Sequence, residues 1–330
     1  MSDRDQALQS WVAAALGVAS VTLAPASADA SFRRYFRVAT ETGSAIVMDA
    51  PPPQEDCRPF VRVATLLRAA GVHAPEVLAQ DLERGFLLLT DLGKQTYLEV
   101  LNAENADDLL GDAMDALCRW QSASRPDVLP AYDRALLRRE LDLFPEWYVA
   151  RHLGVTFSQH EQEILDNSFR LLEDSALAQA RVFVHRDYMP RNLMFSNPNP
   201  GVLDFQDAVY GPLTYDVVSL FRDAFLSWDE ACVTAWCLQY RELAKRAGLP
   251  VQDAPEFIRA LDWMGLQRHL KVLGIFARIN YRDGKPQYLA DTPRFLNYVC
   301  SIGARYPEFT PLLRLLDRLA HKAGAAAVRT

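Results

Sequence analysis

Sulfur is scarce in this chain. Five cysteines, Cys57, Cys118, Cys232, Cys237 and Cys300, are scattered over 330 residues, odd in number and with no C-x-x-C pair. That excludes a disulfide framework and a thiolate zinc site, and the thiols read as incidental side chains of a reducing compartment. No run of 18 or more apolar residues exists, so no membrane-spanning helix is expected and the expected location is the cytoplasm. Basic residues are not in excess: 35 Lys+Arg stand against 42 Asp+Glu, a net charge of -7. A duplex-binding protein draws its affinity from neutralising phosphates with cations, so nucleic acid is not the expected partner. A small polyanionic ligand needs only a local basic spot and stays open. Repeats and low-complexity tracts are also missing, and nothing calls for an obligate protein partner. What is present is apolar content, 50% of the residues, enough at this length to bury a core and to make two domains, or one with an insert.

Residues 11–19 are almost wholly apolar, and Ala28-Asp29-Ala30 has the small residues of a cleavage site. A secretory signal wants a positive start, whereas this chain has Asp3-Arg4-Asp5. An amphipathic helix over residues 3–16 is the expectation. Strands are expected at 20–24, 32–39 and 44–49, the last two joined by a turn at 40–43. Pro51-Pro52-Pro53 stops regular structure. Residues 58–70 carry Phe60, Val63, Ala64 and Leu67 at helical spacing and end at Gly71. Two more strands, 77–81 and 85–90, complete a small strand-rich lobe, residues 1–93. From 94 to 330 the pattern is helical, at 103–122, 135–153, 161–177 and nearly everything beyond 212. Short strands and turns interrupt it at 181–185 and 192–204. The fold class expected is α+β, with a small strand-rich lobe and a larger helical one.

The chemistry concentrates in His185-Arg186-Asp187-Tyr188-Met189-Pro190-Arg191-Asn192 and, twelve residues after Asn192, Asp204-Phe205-Gln206-Asp207. Val182-Phe183-Val184 anchors a buried strand, from which Asp187 emerges on a loop. Leu193-Met194-Phe195 and Val202-Leu203 form a second apolar pair around the turn Asn197-Pro198-Asn199-Pro200-Gly201. That hairpin returns Asp204 to Asn192. The product is a carboxylate at Asp187 and an oxygen pair at Asn192 and Asp204, the kind of donor set Mg²⁺ takes before completing its shell with water and substrate phosphate.

H-x-D-x-x-x-x-N followed by D-F-x resembles the catalytic core of the kinase-like phosphotransferases. Gly211-Pro212-Leu213-Thr214-Tyr215-Asp216 resembles the G-x-x-x-x-D element of their aminoglycoside phosphotransferase branch. The resemblance implies a bilobal protein-kinase-like fold and the cofactors ATP and Mg²⁺. It implies Asp187 as acceptor of the attacking hydroxyl's proton, and Asn192 and Asp204 as metal and nucleotide ligands. His185 would brace the loop, and Asp216 would anchor it through backbone amides.

Two elements of the family pattern are missing. Where V-A-I-K would place a phosphate-binding lysine, Ala45-Ile46-Val47-Met48 ends in Met48, and Asp29-Ala30-Ser31-Phe32-Arg33-Arg34-Tyr35-Phe36 replaces the glycine-rich loop. Small residues there still let backbone N–H groups approach phosphate. In an alternating strand Arg33 and Tyr35 share one face and Arg34 and Phe36 the other, so Arg33 or Arg34 supplies the missing charge. Ser31, Phe32, Arg33 and Arg34 are thus candidate nucleotide residues. So are Asp91 and Leu92 in the linker-like Leu87-Leu88-Leu89-Thr90-Asp91-Leu92-Gly93.

Only eleven residues separate Asp204 from Asp216, too few for an activation loop and peptide platform, and Met189 stands where peptide-directed kinases place a lysine. A small-molecule hydroxyl is the expected acceptor. The segments 30–37, 47–52, 89–93 and 281–285 resemble the bacterial anomeric kinases of cell-wall amino sugars, which phosphorylate N-acetylmuramate and N-acetylglucosamine at the C1 hydroxyl. That implies an amino sugar and ATP as partners. A lactyl carboxylate wants an Arg fork and an acetamido group an apolar wall and an amide partner, and in the helical lobe Trp147, Arg222 and Asp223 are the candidate sugar contacts. The competing readings are a kinase of the same fold for an aminoglycoside, choline or homoserine-like acceptor, and a non-catalytic member suggested by Met48.

Overall fold

A computed structural model describes residues 2–28, 32–223 and 225–327. In chain order, the elements are α1 (Asp3–Leu16), β1 (Ala24–Ala28), β2 (Arg34–Thr40), β3 (Gly43–Asp49), α2 (Arg58–Ala69), β4 (Val77–Asp81), β5 (Phe86–Thr90), α3 (Tyr97–Val100) and α4 (Ala106–Ser122). Next come α5 (Arg134–Leu141), a wide-wound stretch Phe144–His152, α6 (Gln159–Ala178), β6 (Arg181–Val184), β7 (Leu193–Met194), β8 (Gly201–Val202) and β9 (Val209–Pro212). The rest is helical: α7 (Tyr215–Phe221), α8 (Glu230–Arg246), α9 (Ala254–Asp283), α10 (Thr292–Gly303) and α11 (Thr310–Ala327). Among the described residues, no helix is long and apolar enough to cross a membrane.

The chain divides into two compact units, Met1–Ala123 with Pro190–Ala208, and Ser124–Met189 with Val209–Thr330. Packing thus carries the first unit past residue 93, through α3 and α4, and recruits the hairpin of β7 and β8 from a distant stretch of sequence.

The first unit is built on an antiparallel sheet in the order β1-β2-β3-β5-β4. The alternation of side chains puts Val38, Ala45, Val47, Phe86 and Leu88 on one face, where they pack against Leu8 and Val12 of α1. Helix α1 starts at a reciprocal cap between Ser2 and Asp5 and ends at Gly17 in the left-handed conformation (φ 69°). Asp49, fully buried at the end of β3, accepts from Arg4 of α1 (Nε–Oδ1 2.9 Å) and from Arg34 of β2 (Nε–Oδ2 2.9 Å). A charge this deep is tolerable because two guanidinium groups pair with it.

The second unit is organised around α9, 30 residues long, whose central residues 260–274 are all buried. The pair β6–β9 lies in the same unit, with Val182 opposite Gly211. Gly211 explains itself by close approach: a Cβ there would come within 2.5 Å of the Tyr132 Cβ, and Tyr132 is itself buried.

Two sequence expectations shift. The first strand is Ala24–Ala28, not 20–24, because its position follows from pairing Ala24 with Arg37 and Ala28 with Arg34, which composition does not encode. The helix expected over 135–153 breaks after Leu141 and resumes as the wide-wound Phe144–His152. Pro145 is the cause, since it lacks an N–H and its ring would strike the carbonyl of Leu141 in an α-helix.

Gly211→Ala forces β9 away from Tyr132, an overpacking that costs about 1–3 kcal/mol. Urea denaturation is expected to show a lower midpoint with an unchanged slope; an unchanged midpoint would mean that the contact yields freely.

Candidate active site

The second unit holds the residues around Asp187. Strand β6 is fixed at Phe183, whose N–H bonds the Ser124 hydroxyl at 2.6 Å. Beyond it, the buried Asp216 of α7 accepts two backbone bonds with one carboxylate: His185 N–H to Oδ2 at 2.7 Å and Arg186 N–H to Oδ1 at 2.9 Å. His185 is buried, its Nδ1 receives the Asp187 N–H at 3.2 Å, and its ring meets Tyr188 edge-on at 5.5 Å. The Met189 N–H closes a tight turn onto the Asp187 carbonyl at 3.0 Å. His185 and Asp216 therefore act on the loop backbone and aim Asp187, the bracing and anchoring roles that the motif resemblance implied.

The first unit holds the other motif residues. In the hairpin, Leu193 pairs with Val202 and Met194 with Gly201. The Leu203 N–H bonds the Asn192 carbonyl at 2.9 Å, and Asn192 Nδ2 stands 3.4 Å from Asp204 Oδ2. Asp204 has a left-handed backbone (φ 62°), unusual for a residue with a side chain, and its Oδ1 accepts from Gln206 Nε2 at 2.8 Å. Phe205 is fully buried against Phe60, ring centroids 4.7 Å apart. A carboxylate and a carboxamide side by side are hard oxygen donors, and this set fits Mg²⁺, which asks the protein for only one or two ligands. Among the described residues no group of three or more His, Cys, Asp or Glu gathers into a metal site.

The same unit contains the linker candidates. Gly201 packs directly under Leu92, where a Cβ would come within 2.9 Å of Leu92 Cδ1, and the Phe195 N–H bonds the Gln95 carbonyl at 2.9 Å. The Asp91 carboxylate is occupied by Arg37 (2.5 Å), Ser44 (2.6 Å) and the Gly93 N–H (3.0 Å). Asp91 therefore shapes the linker with its side chain, leaving backbone groups as what it can offer an adenine.

Of the loop candidates, Ser31 lies outside the described residues. Phe32 is exposed, and its N–H bonds Glu55 at 3.2 Å. Arg33 pairs with the same carboxylate at 3.0 Å. Arg34 lies on the α1-covered face, bonded to Asp49 and to Asp5 (2.9 Å). Met48 is fully buried and pairs with Tyr35 and Leu87 on the opposite face. Of the sugar candidates, Arg222 is buried in ion pairs with Glu230 (2.8 Å) and Asp262 (3.0 Å). Asp223, beside it in sequence, is also buried. Trp147 belongs to the wide-wound stretch, half-buried against the helical core with Arg151 over its ring at 5.9 Å.

Sequence reasoning missed the buried polar group behind the loop. Glu140 of α5 binds Arg186, Lys271 and Tyr132. The available signal was weak: Glu140 follows Arg138 and Arg139 just before Leu141, and Lys271 lies between Leu270 and Val272 close after Arg268 and His269.

A His-braced, Asp-anchored loop carrying a carboxylate, with an Asn–Asp oxygen pair further along, is the division of labour found in kinase-like phosphotransferases. Comparison agrees. The model of the phosphotransferase enzyme family (APH) matches residues 22–261. The chain is 60% identical to an N-acetylmuramate/N-acetylglucosamine kinase of Pseudomonas aeruginosa, over 92% of this chain and 90% of that one. A kinase of the same name from Pseudomonas putida is 59% identical, over 93% and 90%. The fold matches that of a choline kinase from Streptococcus pneumoniae with a TM-score of 0.63 at 13% identity, covering 91% of this chain and all of that one. The chain belongs to the phosphotransferase enzyme family and is an ATP-dependent phosphotransferase.

Burial, more than any neighbouring charge, pushes Asp216 up to about 7, against the pull of its two backbone donors. Its ordinary value is 3.8, so between these values the folded chain holds a proton that the unfolded chain has lost. The stabilisation this gives is complete below the lower value and disappears as pH rises through the upper one. Thermal unfolding of wild type and Asp216→Asn from pH 4 to 7 is expected to show wild type losing stability relative to the variant as pH rises; parallel curves would exclude the titration.

Proposed function

We propose that the protein transfers the γ-phosphoryl group of ATP to the anomeric C1 hydroxyl of N-acetylmuramate and N-acetylglucosamine, giving sugar 1-phosphates for cell-wall recycling in the cytoplasm. The observation that carries this reading is 59–60% identity, over more than nine-tenths of the chain, to two kinases of that name, joined to an intact Asp187, Asn192 and Asp204. Residues 1–93 serve the nucleotide, and residues 94–330 carry the catalytic loop and the sugar.

Asp187 accepts the proton of the attacking hydroxyl. A hemiacetal hydroxyl is more acidic than an ordinary alcohol, so a carboxylate base faces a smaller mismatch. Asn192 and Asp204 hold Mg²⁺, which supplies charge neutralisation on the nucleotide phosphates when bound. Backbone groups of 91–92 meet the adenine, and residues 31–33 approach the phosphates. Of the two arginines we retain Arg33, which precedes β2 and pairs with Glu55, because Arg34 is turned to the α1-covered face and pairs there with Asp49 and Asp5. Trp147, Arg222 and Asp223 are the sugar candidates. The arginine among them suits the lactyl carboxylate of N-acetylmuramate better than a polycationic aminoglycoside.

ADP release, measured against a panel of amino sugars, choline, homoserine and aminoglycosides, is expected to occur with the two N-acetyl sugars. Turnover with another class alone would replace this reading. Asp187→Asn is expected to lower kcat by roughly a hundredfold to ten-thousandfold while ATP still binds; near-normal turnover would remove Asp187 from its role. Arg33→Ala is expected to weaken ATP binding about tenfold, whereas Arg34→Ala keeps the affinity and lowers the melting temperature. The reverse pattern would reassign the charge to Arg34.

A further inference from the structure

Arg186 sits between the bracing His185 and the proposed base Asp187, with a left-handed backbone (φ 78°). A residue with a side chain is held in that region only when its surroundings over-determine it. Here they do so twice. The backbone N–H is held by Asp216. The guanidinium forms an ion pair with Glu140, a buried acid 46 residues earlier on α5.

Glu140 has other partners. Its Oε1 also accepts from Lys271 Nζ of α9 at 2.9 Å, and its Oε2 accepts from the Tyr132 hydroxyl and from Gln267 Nε2 at 3.3 Å. Lys271 donates in turn to the Tyr215 hydroxyl at 2.8 Å. Tyr215 immediately precedes Asp216 in α7. The connections therefore close a ring: Asp216 to the Arg186 backbone, Arg186 side chain to Glu140, Glu140 to Lys271, Lys271 to Tyr215, and back along the chain to Asp216.

We propose that Glu140 and Lys271 are positioning residues for the phosphoryl-transfer reaction, forming a buried charge lock that fixes Arg186 and so orients the backbone from which Asp187 projects. The proposal rests on the reading of Asp187 as the base. The charges make Glu140 the keystone. It is a buried anion paired with two buried cations, and without it the mutual repulsion of Arg186 and Lys271 inside the unit is less well offset. Burial alone would favour its protonated form, but Lys271 and Arg186 bring it down to about 2, so it stays ionised wherever the enzyme works. Because every member of the lock belongs to the chain, the loop is set by folding and needs no added phosphate or effector.

The test compares wild type, Glu140→Gln, the double variant Glu140→Gln with Lys271→Met, and Arg186→Lys, all as full-length chains with thermal unfolding as the folding control. Glu140→Gln keeps the shape and removes the charge. It is expected to lower kcat tenfold or more while KM for ATP stays within twofold. The double variant, which also deletes the second cation, is expected to recover part of that loss. A folded Glu140→Gln with kcat within twofold of wild type overturns the proposal, and a double variant no better than the single overturns the charge-balance account. Should Glu140→Gln not fold, Arg186→Lys decides, because it keeps the cation and loses the forked geometry; wild-type kcat there overturns the lock.

Hydrogen–deuterium exchange at residues 185–189 separates this proposal from the functional reading. Faster exchange in the variants supports the lock even if the acceptor is another molecule, and unchanged exchange overturns it. Full activity in Asp187→Asn would instead overturn the reading of Asp187 as the base, and the positioning role that rests on it, even if the exchange data show the lock intact.

Discussion

One carboxylate carries the loop on which Asp187 stands. Asp216 is fully buried on α7 and spends both its oxygens on consecutive backbone N–H groups, those of His185 and Arg186. Two bonds from one rigid group fix the peptide plane between them. That lets Arg186 remain left-handed, directs its guanidinium to Glu140, and leaves Asp187 as the next residue of a held backbone. His185 adds a third restraint by accepting the Asp187 N–H. The elements that serve this anchor explain much of the second unit. Strand β6 delivers the loop, β9 leads into α7, and Gly211 lets Tyr132 close over β9 while its hydroxyl reaches Glu140.

The first unit solves a different problem. Its hairpin folds Asn192 back on Asp204 through local pairing and is held from outside by His73, Gln95, Leu92 and Phe60. The sheet lacks the lysine common in this fold, with Met48 buried in its place. The neighbouring buried acid, Asp49, faces α1 and is satisfied by Arg4 and Arg34. The arginine-rich loop is thus divided by strand alternation. Arg34 stabilises the sheet against α1, and Arg33, paired with Glu55, is left to the other side.

What was legible in the sequence follows from this contrast. The hairpin, the loop and the Asp216 element are encoded by neighbours: apolar pairs flanking a turn, and motif residues at fixed spacing. The helix at Asp3–Leu16 was readable from its pattern, and its start is confirmed by the Ser2–Asp5 cap. The register of β1 was not readable, because pairing with β2 decides it. The break at Pro145 was readable in principle, and helical periodicity concealed it. The Glu140–Lys271 bond joins residues 131 apart, and each appears in sequence as one charge among other polar residues of its helix. Only the fold reveals that the two charges neutralise each other. The roles of Trp147, Arg222 and Asp223 stay at the level of proposal, because a buried arginine already paired with two acids satisfies a structural reason for its charge.

The central claim is that phosphate lands on the anomeric oxygen. Carbon-13 NMR of the product made from ATP and N-acetylmuramate labelled at C1 reads that atom directly. The account predicts a C1 resonance split by coupling to phosphorus and collapsed to a single anomer, because the phosphorylated sugar can no longer open. An unsplit C1 signal that remains a mixture of anomers, with phosphorus coupled to another carbon, would contradict it.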